Sequence, residues 1–352
     1  MPPHSDTPVE LHFAPANGPV DRAIEDLMEA AGGIAHRPIV REMIISALKA
    51  GRENEGRADL KLMNTSLKEM RFTTKVFAPY RHLRKVTVFG SARTAPAEPS
   101  YRMAVELGRR LVAAGYMVIT GGGPGIMQAA NEGAGAEHSF GVNIRLPFEQ
   151  KSNPVLENSP RSITYKYFFN RKVAFVKEAD AVALFPGGFG TLDEAMETLT
   201  LVQTGKRDPL PLVLLEPPGS TYWDKWRRFI EDQLLGTGRI AREDLALFEI
   251  VSSVEEAVAA IDRFYRRYHS LRYVNGQCVL RLNAPLAADQ IEGLADRFAD
   301  LLAPGGRMQA SGPLPEEAGQ TDIAHLPRLV IDFNRRSLGR LRQLIDRLND
   351  LP

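Results

Sequence analysis

Apolar positions recur at intervals of three and four residues in DRAIEDLMEAAG (21–32) and IVREMIISALKAG (39–51), the spacing of amphipathic helices. They predict a helical extension reaching to about Arg84. From Lys85 the pattern changes. KVTVFG (85–90) is a short β-branched run ended by glycine, and SYRMAVELGRRLVAAG (100–115) is an amphipathic helix closed by Gly115. The alternation continues through the strand YMVITGGG, the helix IMQAANEGA, the strand FGVNIRL, a helix around YFFNRKVAFVKEA that takes in Tyr165 and Lys166, and the strand DAVALFPGG. The helix TLDEAMETLTLVQTG and the strand LPLVLLEP follow. Strand and helix taking turns predict an α/β domain with a doubly wound parallel sheet. In such a sheet the loops at the carboxyl ends of the strands form the binding crevice.

Two more helical stretches, YWDKWRRFIEDQLL and SVEEAVAAIDRFYRRYH, flank the short apolar run LFEIV and close this domain near His269. Beyond it, strand QCVLRLN, helix AADQIEGLADRFADLL, a Gly/Pro-rich loop, strand PRLVIDFN and helix SLGRLRQLIDRLND predict a small α+β domain. The expected boundaries are therefore 1–84, 85–269 and 270–352. The Arg-rich final helix reads as a solvated face, a docking face for acidic ligands being the alternative.

Composition narrows the function classes. With 352 residues, 44% of them hydrophobic and 25% charged, the chain can bury a full core and is too long for one minimal domain. Lys plus Arg is 44 against 43 for Asp plus Glu, so no global field draws it to nucleic acid or to an acidic membrane, and neither is an expected partner. Cys278 is the single cysteine, which excludes an internal disulfide framework and fits a reducing, cytoplasmic setting. The start MPPHSDTPVELHFAP has no export-signal pattern, and no apolar run approaches the ~20 residues of a membrane span. The histidines are scattered, so neither a metal site nor a cofactor is expected.

Two glycine-rich loops sit between a strand and a helix. Thr120–Met127 (TGGGPGIM) is the context in which backbone amides at a helix start receive a phosphate. It is not the dinucleotide fingerprint, because Ile126 or Gln128 falls where the last glycine belongs, and no Gly-Lys-Ser/Thr closes it as a P-loop. Pro186–Glu194 (PGGFGTLDE) is the second such loop, and Thr191 with Glu194 has the T-x-x-E spacing of a capping box. Glu197 follows Glu194 by three residues on the same helix face. Upstream, Arg171 offers a planar fork for a phosphate or carboxylate and Lys172 a point charge. Gly90, Ser91 and Arg93 end the first strand, and Ser91 reads equally as a turn or cap residue. Phe140, Phe148 and Phe168 are expected in the core rather than as platforms for a base.

The segments FGSAR, TGGGPGIMQAANEGA, GVNIRLPFEQ, YFFNRK and PGGFGTLDE, in this order, resemble the Lonely Guy (LOG) family, also labelled "possible lysine decarboxylase". The resemblance spans about Val86 to Gln203. It implies a Rossmann-like fold and a phosphoribohydrolase that releases a free base and ribose 5-phosphate from nucleoside 5′-monophosphates, acting as a homodimer or larger homo-oligomer. It also implies Arg171 and Glu194 as the catalytic pair, with Gly90, Ser91, Gly121, Gly122, Gly123, Gly187, Gly188, Gly190 and Thr191 around the phosphate; Met127, Asn131, Lys172 and Glu197 fall on motif positions too. YFFNRK departs from the plant-type M-H-x-R-K by Phe169-Asn170, so ordinary purine or pyrimidine nucleotides stand beside cytokinin ribotides as substrates.

The chemistry agrees with hydrolysis. Breaking an N-ribosidic bond builds positive charge on the sugar, which a carboxylate beside the anomeric carbon stabilises while it orients or deprotonates water. A pyridoxal-dependent decarboxylase would need a linking lysine, for which Lys172 is the only candidate in the motif, and nothing else supports it. The alternative from another class is a nucleotide- or cofactor-binding sensor or carrier that does not turn its ligand over.

Overall fold

The computed structural model describes residues 16–53, 56–146 and 152–352. Phe148, with the rest of 147–151, and His4 and His12 lie outside the described residues. Contacts divide the chain into one unit ending at Lys68 and a second from Glu69 to Pro352.

The first unit holds α1 (Pro19–Ala31), α2 (Arg37–Glu53) and the start of α3 (Arg57–Phe77). Proline in the first turn of α1 has no amide to leave unsatisfied. Ile24 and Met28, four residues apart on α1, pack with Ile45 of α2 as a small core.

The second unit carries two sheets. Its first run is β1 (Lys85–Phe89), α4 (Pro99–Ala113), β2 (Met117–Thr120), α5 (Ile126–Ala134), β3 (Ser139–Ile144), β4 (Ser162–Tyr165), α6 (Phe168–Glu178), β5 (Ala181–Leu184), α7 (Phe189–Gln203), β6 (Leu212–Leu215), α8 (Tyr222–Phe229), β7 (Glu249–Val251) and α9 (Val254–Phe264). The strands form a seven-stranded sheet in the order β4-β3-β2-β1-β5-β6-β7, every pair parallel. This is the Rossmann-like, doubly wound arrangement expected from the sequence. The strands alternate their side chains between two cores: Val86, Val88, Ala181, Ala183, Val213 and Leu215 meet α4, α5 and α9, while Phe89, Val182, Leu184, Leu212 and Leu214 meet α6 and α7. The chain moves outward from β1 through β4, then crosses to β5 on the other side of β1. The switch point, where a crevice opens at the carboxyl ends, therefore lies between β1 and β5.

The second run is β8 (Tyr268–Val274), β9 (Gln277–Leu282), α10 (Ala288–Arg297), β10 (Met308–Ser311), β11 (Arg328–Ile331) and α11 (Leu338–Asp350). The strands pair antiparallel in the order β10-β11-β9-β8, and α10 and α11 cover one face.

Several expectations are corrected here. β4 is an additional edge strand, so Tyr165 ends a strand and Lys166 lies in a connection rather than in α6. β8 and β10 are also additional, and the helix read through YRRYH stops at Phe264. α11 buries one face, Leu341, Leu344, Ile345 and Leu348 being fully buried, while Arg347 on its outer side is exposed. Its Arg342 is buried too, donating to the Leu210 carbonyl at 3.0 Å and pairing with Asp346 at 2.9 Å.

Candidate active site

The loops after β1 and β5 enclose a cleft of about 700 Å³ at the switch point. Gly90, Ser91, Met127, Arg171, Gly187, Gly188, Gly190, Thr191 and Glu194 all line it. Ser91 ties the two loops together: its amide donates to the Pro186 carbonyl at 3.2 Å, and its carbonyl accepts from the Ile126 amide at 3.1 Å. Its hydroxyl accepts from the Arg93 amide at 3.1 Å, which makes Ser91 a turn residue rather than a helix cap.

The second glycine loop opens α7. Gly188 is the N-cap, and Thr191 and Leu192 donate their amides back to its carbonyl at 3.1 and 3.2 Å. The expected capping box does not form, because the helix starts at Phe189 and puts both Thr191 and Glu194 inside it. Among the described residues the amides of Gly188, Phe189 and Gly190 donate to no protein acceptor. They are the orphan donors of a helix start, aided by its partial positive charge, on residues that line the cleft, an arrangement suited to an anion.

Freed from capping, Glu194 is held in an unusual state. It is 5% exposed, and among the described residues its carboxylate takes part in no hydrogen bond or ion pair. Burial pushes its pKa up to about 7; nearby Lys172 and Arg171 oppose that shift and Glu197 adds to it. A carboxyl that exchanges its proton near neutrality suits acid–base work.

Arg171 enters from the third turn-bearing element. On α6, it donates from Nε to the Val142 carbonyl of β3 at 2.9 Å and lies over the Phe168 and Phe175 rings at 5.5 and 5.0 Å. Burial lowers its pKa and the Glu194 charge opposes this. A Cβ on Gly121 would stand 2.4 Å from an Arg171 guanidinium nitrogen and 2.8 Å from the Met127 sulfur, so glycine makes the room.

Other expected contacts lie elsewhere. Gly121, Gly122 and Gly123 are buried and do not line the cleft. The amides expected to be bare are partly taken up, with Gly122 donating to Thr120 Oγ1 at 3.0 Å and Ile126 to Ser91. Asn131 is fully buried beneath this loop, accepting from Thr120 at 2.7 Å and from Asn153 at 3.0 Å, so it shapes the loop from behind. Lys172 does not line the cleft but bridges Asp193 at 2.9 Å and Glu197 at 3.0 Å. Burial works against its charge, yet those two hydrogen bonds hold its pKa above the ordinary lysine value.

Of three further lining residues, the sequence offers Arg93 as a guanidinium at the first strand end, places Phe168 in the core and gives Phe189 no role. Arg93 is exposed in the lining and, among the described residues, joins no ion pair. Phe168, expected in the core, is 44% exposed there, and Phe189 is 94% exposed. The x position of PGGxGT was the available signal for Phe189, since a large apolar residue between glycines has nothing to pack on. Phe140 is in the core, stacked on Phe77 at 4.3 Å. Among the described residues no His/Cys/Asp/Glu group could hold a metal ion, and no helix is long and apolar enough to cross a membrane.

A family profile described as possible lysine decarboxylase matches residues 126–261. The cytokinin riboside 5′-monophosphate phosphoribohydrolase LOG of Oryza sativa subsp. japonica is 32% identical over 192 residues, 53% of this chain and 75% of that protein. The corresponding LOG1 enzyme of Arabidopsis thaliana is 28% identical over 194 residues, 53% of this chain and 87% of that protein. Among solved structures, the molybdenum cofactor carrier protein of Chlamydomonas reinhardtii superposes with a TM-score of 0.38 at 22% identity, over 51% of this chain and 97% of that one.

Proposed function

The chain belongs to the Lonely Guy family, and on that premise we propose that its cleft hydrolyses the N-glycosidic bond of nucleoside 5′-monophosphates, consuming water and releasing the free base and ribose 5-phosphate. The observation that carries this reading is Glu194: a buried carboxyl with no protein partner among the described residues, titrating near 7, beside an anion-binding helix start. A ligand-holding protein needs the helix start but has no use for such a carboxyl.

In this reading the phosphate sits at the amides of Gly188, Phe189 and Gly190, with Thr191, Ser91 and the free Arg93 guanidinium around it. Phosphate binding then holds the ribose where its anomeric carbon meets Glu194. The ionised Glu194 stabilises the developing oxocarbenium and accepts a proton from the attacking water. Arg171, fixed by the Val142 carbonyl, faces the departing base and stabilises its charge. The exposed rings of Phe168 and Phe189 offer apolar faces to an aromatic base. We assign the enzyme to the cytoplasm as a homo-oligomer, a setting supported by its lone buried thiol at Cys278 and by exposed Phe169 and Val173 on α6.

The test is incubation of the purified chain with purine, pyrimidine and cytokinin nucleoside monophosphates, following free base and ribose 5-phosphate, with Glu194→Gln beside it. Release that the variant loses supports hydrolysis and names the base. Tight binding of a nucleotide with no release from any would overturn it in favour of a sensor or carrier.

A further inference from the structure

We propose that Glu69 is a positioning residue for Arg171, a carboxylate by which α3 anchors the chain entering α6; this rests on the reading of Arg171 as part of the reacting site. α6 begins at Phe168 after Tyr167, and no side chain at its own N-cap position satisfies its first turn. A helix start nonetheless needs acceptors for its amides and favours a negative charge. Glu69 brings the negative charge from another helix and anchors the chain by the residue before the N-cap and by a side chain of the first turn, not by the backbone amides of α6. Its Oε1 accepts from the Lys166 amide and its Oε2 from Asn170 Nδ2, each at 2.6 Å. Asn170 is buried and immediately precedes Arg171, so one carboxylate grips the chain on both sides of the first turn of α6.

The rest of that face of α3 makes the grip rigid. Thr73 and Phe77 follow Glu69 at intervals of four, on the same face of the helix. The Thr73 hydroxyl bonds the Tyr165 hydroxyl at the end of β4, and Phe77 stacks on Phe140 of β3. One helix face thus holds β3, β4 and the start of α6 as a block. Arg171 is fixed within it at both ends, its backbone by Glu69 through Asn170 and its head by the Val142 carbonyl. Removing the Glu69 carboxylate leaves the head contact and releases the turn that aims it.

The experiment compares Glu69→Ala, Glu69→Gln and Asn170→Ala with the native full chain. It reads kcat and KM on the nucleotide the native enzyme cleaves fastest, and amide hydrogen exchange across residues 168–173. Misaiming a reacting group without losing substrate binding should lower kcat by roughly tenfold to a hundredfold in Glu69→Ala, with KM within about threefold, and speed exchange in that turn. Glu69→Gln keeps an acceptor for the Lys166 amide and should recover most of kcat, with Asn170→Ala in between. Native kcat in Glu69→Ala, or lowered activity without faster exchange across 168–173, overturns the proposal. If the native chain cleaves no nucleotide, the hydrolase reading fails by itself; amide exchange across 168–173 then decides the anchor, and native exchange in Glu69→Ala overturns it. Should Glu69→Ala fail to fold, Asn170→Ala decides: lowered kcat with faster exchange across 168–173 supports the proposal, and native kcat or lowered activity without faster exchange overturns it.

Discussion

Gly121 and Arg171 are sterically complementary: a single added carbon at residue 121 would lie 2.4 Å from a guanidinium nitrogen. The obstructing atoms belong to the far ends of the Arg171 and Met127 side chains, which can move, and Gly121 is not among the glycines with positive φ. Gly121→Ala should therefore fold with a melting temperature close to native while its guanidinium is displaced. The expected loss in kcat is about a hundredfold, the size of effect a misplacement near 1 Å produces. Steady-state kinetics with a parallel melting curve checks it.

In the proposed hydrolysis Glu194 sets the pH dependence. Its folded pKa of about 7 is raised from an ordinary 4.5 by burial. If the ionised form reacts, kcat/KM rises with pH through a midpoint near 7. The stability sign is the reverse. A raised carboxyl pKa favours the fold below the unfolded pKa, and that contribution is lost as pH climbs through 7. Glu194→Gln should then match native stability at pH 4.5 and exceed it at pH 8, as melting curves at both pH values would reveal.

In the same reading Lys172 tunes that midpoint without lining the cleft. Its charge lowers the Glu194 pKa, and its loss leaves Asp193 and Glu197 unneutralised beside Glu194. Lys172→Met is expected to move the midpoint of the kcat/KM profile to higher pH while the plateau rate in alkali stays within a few-fold of native. An unchanged midpoint would contradict this account of the charges.

Phe189 is a ligand contact or nothing, since a ring 94% exposed contributes little to the fold. Phe189→Ala should leave the melting temperature unchanged and raise KM by about threefold to tenfold, the range of a stacking contact of about 1 kcal/mol. Titration with nucleotides of differing base size provides the readout.

The second sheet has an electrostatic core of its own. Glu317, with a fully buried side chain, pairs with Arg281 at 2.6 Å and Arg328 at 3.1 Å. Removing it leaves two buried guanidinium groups without their shared anion. Glu317→Ala should destabilise the protein by about 3–5 kcal/mol in denaturant titration, while kcat of the folded fraction is retained.

The sequence by itself determined the alternating α/β run and the glycine loop after β5 that lines the cleft, because period and glycine punctuation are local properties. It did not reveal β4, β8 or β10. β4 is a four-residue edge strand with only Ile163 and Tyr165 buried, and β8 continues the apolar spacing of the preceding helix. Tertiary structure alone decided the rest. Thr191 and Glu194 have the spacing of a cap, but the helix starts earlier and releases the carboxyl into a buried site where desolvation sets its pKa. Likewise Arg342 of the Arg-rich α11 is buried against the Leu210 carbonyl, and Glu69 bonds Lys166 and Asn170 about a hundred residues downstream. Burial and long-range hydrogen bonds depend on which segments meet, and no window of sequence contains that information.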